Sequence, residues 1–103
     1  MSSEETEEKI VFQLKYSTSF KKDLKGISKQ PQKLKKITEV LSILKNKGVS
    51  GIPKKMKPHL LTGNYKGALE CHIEPDLLII WVEYEEEKEI SLLRLGSHAE
   101  LFG

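Results

Sequence analysis

The chain has 103 residues, with 38% apolar and 31% charged residues and a net charge of +2. That length supports one sheet packed against one or two helices and little more. Cys71 is the only cysteine, so no internal disulfide can form. No apolar run approaches the roughly 20 residues that span a bilayer, and the polar start lacks the apolar core of a signal peptide. The cytoplasm is the expected compartment and no membrane partner is expected.

The small net charge hides an asymmetry. Residues 9–66 carry fifteen lysines against only Asp23 and Glu39. Four glutamates crowd residues 1–8 and five more fall within residues 83–89. A block this basic suits a polyanionic partner, although a lysine-rich solvated helix surface would read the same way.

Residues 1–8 show no apolar periodicity and are expected to form a disordered acidic extension before a single domain over 9–103. Ile10, Phe12 and Leu14 alternate with Val11, Gln13 and Lys15 and predict a strand of about six residues. Ser17, Thr18 or Ser19 can cap a helix whose apolar face is Phe20, Leu24 and Ile27. Pro31 suits the first turn of a second helix. Leu34, Ile37, Leu41 and Leu44 form its stripe, and Gly48 is its expected stop. Residues 48–66 hold three glycines and two prolines and read as a long loop.

Three strands are predicted next. In the first, Leu69, Cys71 and Ile73 face one way, and Glu70, His72 and Glu74 the other. The run from Leu77 to Val82 is apolar on both faces, as a centrally covered strand requires. Glu85–Lys88 reads as a hairpin turn, Ile90–Leu95 as the last strand, and Ser97 as the cap of a short tail helix. The fold class is therefore α+β: a strand, two helices, a three-strand antiparallel meander and a tail helix.

Three histidines, His59, His72 and His98, lie in the second half, and imidazole exchanges protons near neutral pH. Arg94 is the only arginine, and its planar fork suits a phosphate oxygen pair. An ion pair with a nearby glutamate is the plainer use of it. No HxxxH or HxH spacing favours a metal site, and Cys71 faces the core, where a thiol is inert.

The stretch His59-Leu60-Leu61-Thr62-Gly63-Asn64-Tyr65-Lys66-Gly67, the block Glu70-Cys71-His72-Ile73-Glu74-Pro75-Asp76 and the ending Arg94-Leu95-Gly96-Ser97-His98-Ala99-Glu100-Leu101-Phe102 resemble, in order and spacing, motifs of the RelE/YafQ toxin family. The resemblance implies a RelE-like fold and a ribosome-dependent endonuclease that cuts mRNA in the A site without metal or cofactor. It implies His59, His72, Asp76, Arg94 and His98 as catalytic residues. Glu70, Tyr65, Lys66 and Phe102 are implied as substrate contacts. His72 or Asp76 would take the proton from the 2′-hydroxyl, Arg94 would hold the phosphate and His98 would protonate the leaving oxygen.

The implied partners are ribosomal RNA, met by the lysine-rich helices, and an antitoxin protein through which alone operator DNA would be bound. The chain departs from the motifs at Glu70, often Asp, and at Tyr65 and Leu77, often Trp. A lost aromatic at position 77 would remove a base-stacking surface worth about 1–3 kcal/mol. Two other readings remain: a ParE-like gyrase inhibitor of the same fold, and an inactive antitoxin-binding module.

Overall fold

A computed structural model describes residues 11–103; the expectations for residues 1–8 and for Ile10 lie outside them. Strand β1 (Gln13–Tyr16) leads into helix α1 (Thr18–Gly26), capped by Ser17, whose hydroxyl accepts the Phe20 N–H at 3.0 Å. That hydroxyl also donates to the Leu93 carbonyl, tying the helix start to the last strand. Helix α2 (Pro31–Lys47) begins on proline and stops at Gly48, which has a φ of 65° that costs glycine no side-chain clash.

The expected long loop is more structured than its composition suggests. It holds three short 3-10 turns and a two-residue strand, β2 (His59–Leu60). His59 thus sits on a sheet edge rather than on a free loop. Strands β3 (Leu69–Glu74), β4 (Leu77–Tyr84) and β5 (Glu89–Gly96) form the antiparallel meander, and helix α3 (His98–Phe102) closes the chain. Ser97 and Glu100 form a reciprocal capping box at its start.

The sheet order is β1-β5-β4-β3-β2, with β1 parallel to β5 and the other pairs antiparallel. Two separate apolar groups cover its faces. Ile79 and Trp81 join Phe20, Ile37, Val40 and Leu44 from the long helices. Leu78 and Ile80 point the other way, against Ala68, Leu61, Tyr65 and Leu101 of the tail helix. Leu77 is 2% exposed within the helix-side core, so in this chain that position packs the interior and offers no stacking surface.

Glu83 fastens the end of α2 to the sheet. Its carboxylate accepts the Trp81 indole N–H at 3.0 Å and the Val49 N–H at 3.0 Å. Burial pushes the Glu83 carboxyl above its ordinary value; the two donated hydrogen bonds oppose that shift and Glu85 reinforces it. The folded protein therefore holds this proton more tightly than the unfolded chain does. The resulting stability is full below the unfolded value and is lost as pH rises through the folded one. Urea unfolding of the wild type and Glu83→Gln across weakly acidic to neutral pH should show the wild type losing ground to the variant as pH rises. A stability difference that does not vary with pH would contradict this.

Candidate functional site

The second sheet face, beneath the tail helix, collects the polar groups. Cross-strand register puts His59 opposite Glu70, Glu70 opposite Ile80 and Ile80 opposite Arg94. Directly paired residues share a face, so this is one lateral row across four strands. With strands about 4.8 Å apart, Glu70 and Arg94 are about 10 Å apart along that row. His72 pairs with Leu78 and so lies in the adjacent row of the same face.

Glu70 is the one buried charged side chain among the described residues, 4% exposed. Its Oε1 lies 3.2 Å from His59 Nε2 and 4.0 Å from His72 Nε2. Its Oε2 is buried without a hydrogen-bond partner. A carboxylate so enclosed is costly unless opposite charge or donors face it, and the two imidazoles are the groups that do. The Nδ1 of His59 lies 2.8 Å from the Lys57 carbonyl, so both of its ring nitrogens face acceptors. His59 remains about half exposed and His72 about a third.

A second group forms around the tail. Asp76, in the turn after β3, accepts the backbone N–H of His98 at 3.0 Å, which holds the start of α3 against that turn. The rings of His98 and Phe102 lie 4.9 Å apart, one helical turn from each other. Phe102 meets Tyr65 edge-on at 5.7 Å, and the Tyr65 side chain reaches the Arg94 guanidinium. Phe102 is 42% exposed, so it supports Tyr65 and still presents ring surface to solvent. Lys66 is exposed on the same turn.

Arg94 is not free. Its Nε and Nη2 donate to the two oxygens of Asp23 on α1, at 2.8 and 3.1 Å. Asp23 raises the guanidinium further above its already high value, against a smaller opposing effect of burial. The partner is thus an aspartate from a helix, not one of the glutamates expected from proximity in the chain. Arg94, Asp76, Gly96 and Ser97 line an open cleft of about 700 Å3 together with Lys22, Lys33 and Glu74. Glu74 in turn pairs with Lys36 at 3.0 Å and Lys33 at 3.8 Å.

The fold therefore brings His59, Glu70 and His72 into one cluster, and links Asp76, His98, Phe102, Tyr65 and Arg94 into another. Chemically, the arrangement offers imidazoles for proton transfer, a guanidinium for an oxyanion and aromatic surface for a base. Asp23 was not a candidate from the sequence. Its signal was there, as one of two acidic residues in the basic block.

A profile of the family described as "Bacterial toxin of type II toxin-antitoxin system, YafQ" matches residues 12–103. The mRNA interferase toxin YafQ of Escherichia coli strain K12 is 32% identical over 90 residues, spanning 87% of this chain and 95% of that protein. In the crystal structure of the E. coli DinJ–YafQ toxin–antitoxin complex, a chain 32% identical superposes with a TM-score of 0.78, covering 91% of this chain and all of that one. A metal-bound toxin from Helicobacter pylori is 36% identical with a TM-score of 0.74, covering 88% of this chain and 99% of its own.

Cys71 sits on the opposite face, fully buried, and burial, with Glu70 nearby, pushes its thiol up to about 12. Such a thiol is neither nucleophile nor metal ligand at neutral pH. In the native protein it should resist alkylation by iodoacetamide, becoming reactive only in denaturant. Stoichiometric labelling of the folded chain, followed by mass spectrometry, would contradict this.

Proposed function

The chain belongs to the YafQ family of bacterial type II toxin–antitoxin toxins, and on that basis we propose that it is an mRNA interferase that cleaves translated messages on the ribosome. The observation that carries the reading is that the sheet sets His59, Glu70 and His72 in one cluster and links Asp76, His98, Phe102, Tyr65 and Arg94 in a second beside it.

RNA carries its own nucleophile, the 2′-hydroxyl. Cleavage needs a base for that proton, a cation for the phosphorane charge and an acid for the departing 5′-oxygen. His72 or Asp76 supplies the base and His98 the acid, while Arg94 meets the phosphate. His59 is a second base or phosphate contact. Buried Glu70 acts through the two imidazoles it touches, orienting them toward the RNA. The ring of Phe102, exposed and braced edge-on by Tyr65, offers a surface on which a base can rest, and Lys66 adds charge beside them. Products are a 2′,3′-cyclic phosphate, opening to a 3′-phosphate, and a 5′-hydroxyl.

The lysines on α1 and α2, largely solvent-exposed, face outward and suit ribosomal RNA. Phosphate contacts of this kind position the protein without selecting a codon. The proposed partner that holds the toxin inactive is a cognate antitoxin, by analogy with the DinJ–YafQ pairing. Operator DNA is then bound only through that complex.

Cleavage of a defined message, with and without ribosomes, tests the reading. The wild type should cut only when ribosomes translate the message. His98→Ala should lose about 10²–10⁴-fold, and Arg94→Ala about 10²–10³-fold. Full activity in both variants would remove the acid and the phosphate contact. Intact RNA with altered DNA supercoiling in expressing cells would favour gyrase inhibition instead.

Because a relative from H. pylori carries a metal, chelation is the second check. The acid–base scheme expects cleavage to be unchanged after treatment with EDTA and exchange into ribosome buffer containing only magnesium. Loss that zinc or copper restores would replace the scheme with a metal-assisted one.

A further inference from the structure

The bidentate pair between α1 and β5 points to a role for a residue outside the motifs. We propose that Asp23 is a positioning residue for cleavage, setting the Arg94 guanidinium in the orientation that meets the scissile phosphate; the proposal rests on the reading of Arg94 given above.

Asp23 is badly placed for its own helix. It lies in the second half of α1, where the helix dipole disfavours a carboxylate and the intrinsic propensity of aspartate is poor. It also sits in a block whose other charges are almost all lysine. What it gains is three hydrogen bonds from β5: two from Arg94 and one from the Leu95 N–H at 2.9 Å. The Leu95 contact matters, because it pins the carboxylate to the strand backbone. The guanidinium is then oriented against a fixed reference, not against a mobile side chain.

The strand itself contributes to the aim. Register shifts between Ile80 and Trp81, paired with Arg94 and Leu92, so Leu93 has no partner on β4. A bulge beside a functional side chain re-aims it, and here the unpaired residue immediately precedes Arg94. The pair is also incomplete in a useful way. A guanidinium has five N–H donors, and Asp23 takes one from Nε and one from Nη2. The remaining edge carries Nη1, and the side chain is about three-tenths exposed beside the cleft that also holds Asp76. Asp23 therefore occupies one edge of the fork, and the donors it leaves are shared between the Tyr65 side chain and a phosphate oxygen.

A carboxylate so close also competes with phosphate for the same cation, so a latch that restrains Arg94 is the rival account. The two predict opposite signs. Ribosome-dependent cleavage should be compared for the full-length wild type, Asp23→Ala, Asp23→Asn, Arg94→Ala and the Asp23→Ala/Arg94→Ala double variant. Thermal melts of each accompany the assay.

Positioning predicts that Asp23→Ala lowers kcat about 10- to 100-fold with KM for programmed ribosomes changed less than about threefold, since small misplacement of a charge-stabilising group is costly. Asp23→Asn, which keeps one acceptor oxygen, should fall between. In the Arg94→Ala background, Asp23→Ala should cost nothing more, because the residue acts through the guanidinium. Unchanged or raised activity in Asp23→Ala, or the same loss repeated in the Arg94→Ala background, would overturn the proposal. If Arg94→Ala itself cleaves normally, it is the phosphate-contact reading of Arg94 that fails, a distinguishable result.

Discussion

Strand β4 has to be covered on both faces, and the placement of the site follows from that need. Leu77 to Trp81 are all buried, with side chains alternating between the helix face and the opposite one. Each such side chain left in water would forfeit about 1.5–3 kcal/mol. The long helices α1 and α2 can shield only one side. The other is shielded by what remains of the chain: the segment around Leu61 and Tyr65, and the tail helix through Leu101. Those same segments carry His59, Tyr65, His98 and Phe102. Burial of Leu78 and Ile80 thus draws the polar groups to one place.

Two charged arrangements sit on this framework, and they are built differently. Glu70 is enclosed, with one oxygen facing two imidazoles and the other without a partner. Such a site lowers stability unless charge is supplied to it, and buried polar groups left partly satisfied are what functional sites tolerate. Arg94 and Asp23 are by contrast fully geometrically matched, with both carboxylate oxygens used. The first arrangement is a strained resource held inside; the second is a rigid fork held at the rim of an open cleft.

The basic surface is separate from both. The lysines of the two long helices are largely solvent-exposed, and few of them are paired among the described residues. Asp23 is paired with Arg94, and Glu74 with Lys33 and Lys36. Charge that is solvated and unpaired acts at range and is screened by salt, which suits encounter with a polyanion better than local chemistry.

How much of this the amino-acid order determines is clearest residue by residue. Ser17 as a cap, Pro31 as a helix start, Gly48 as a stop, the double apolarity of Leu77–Val82 and the Ser97 cap are local signals. Each was legible because it depends on neighbours within a turn or two. The motif letters from His59 to Phe102 were legible for the same reason. The α+β class followed from those elements. The parallel placement of β1 beside β5, the small edge strand that carries His59, the burial of Glu70 and the partnership of Asp23 with Arg94 were not. Asp23 and Arg94 are 71 residues apart. Nothing in a period of two or 3.6 encodes such a pairing; it arises only when the sheet closes and the helices settle on it. The sequence specified which groups were available, and long-range packing alone decided which of them would meet.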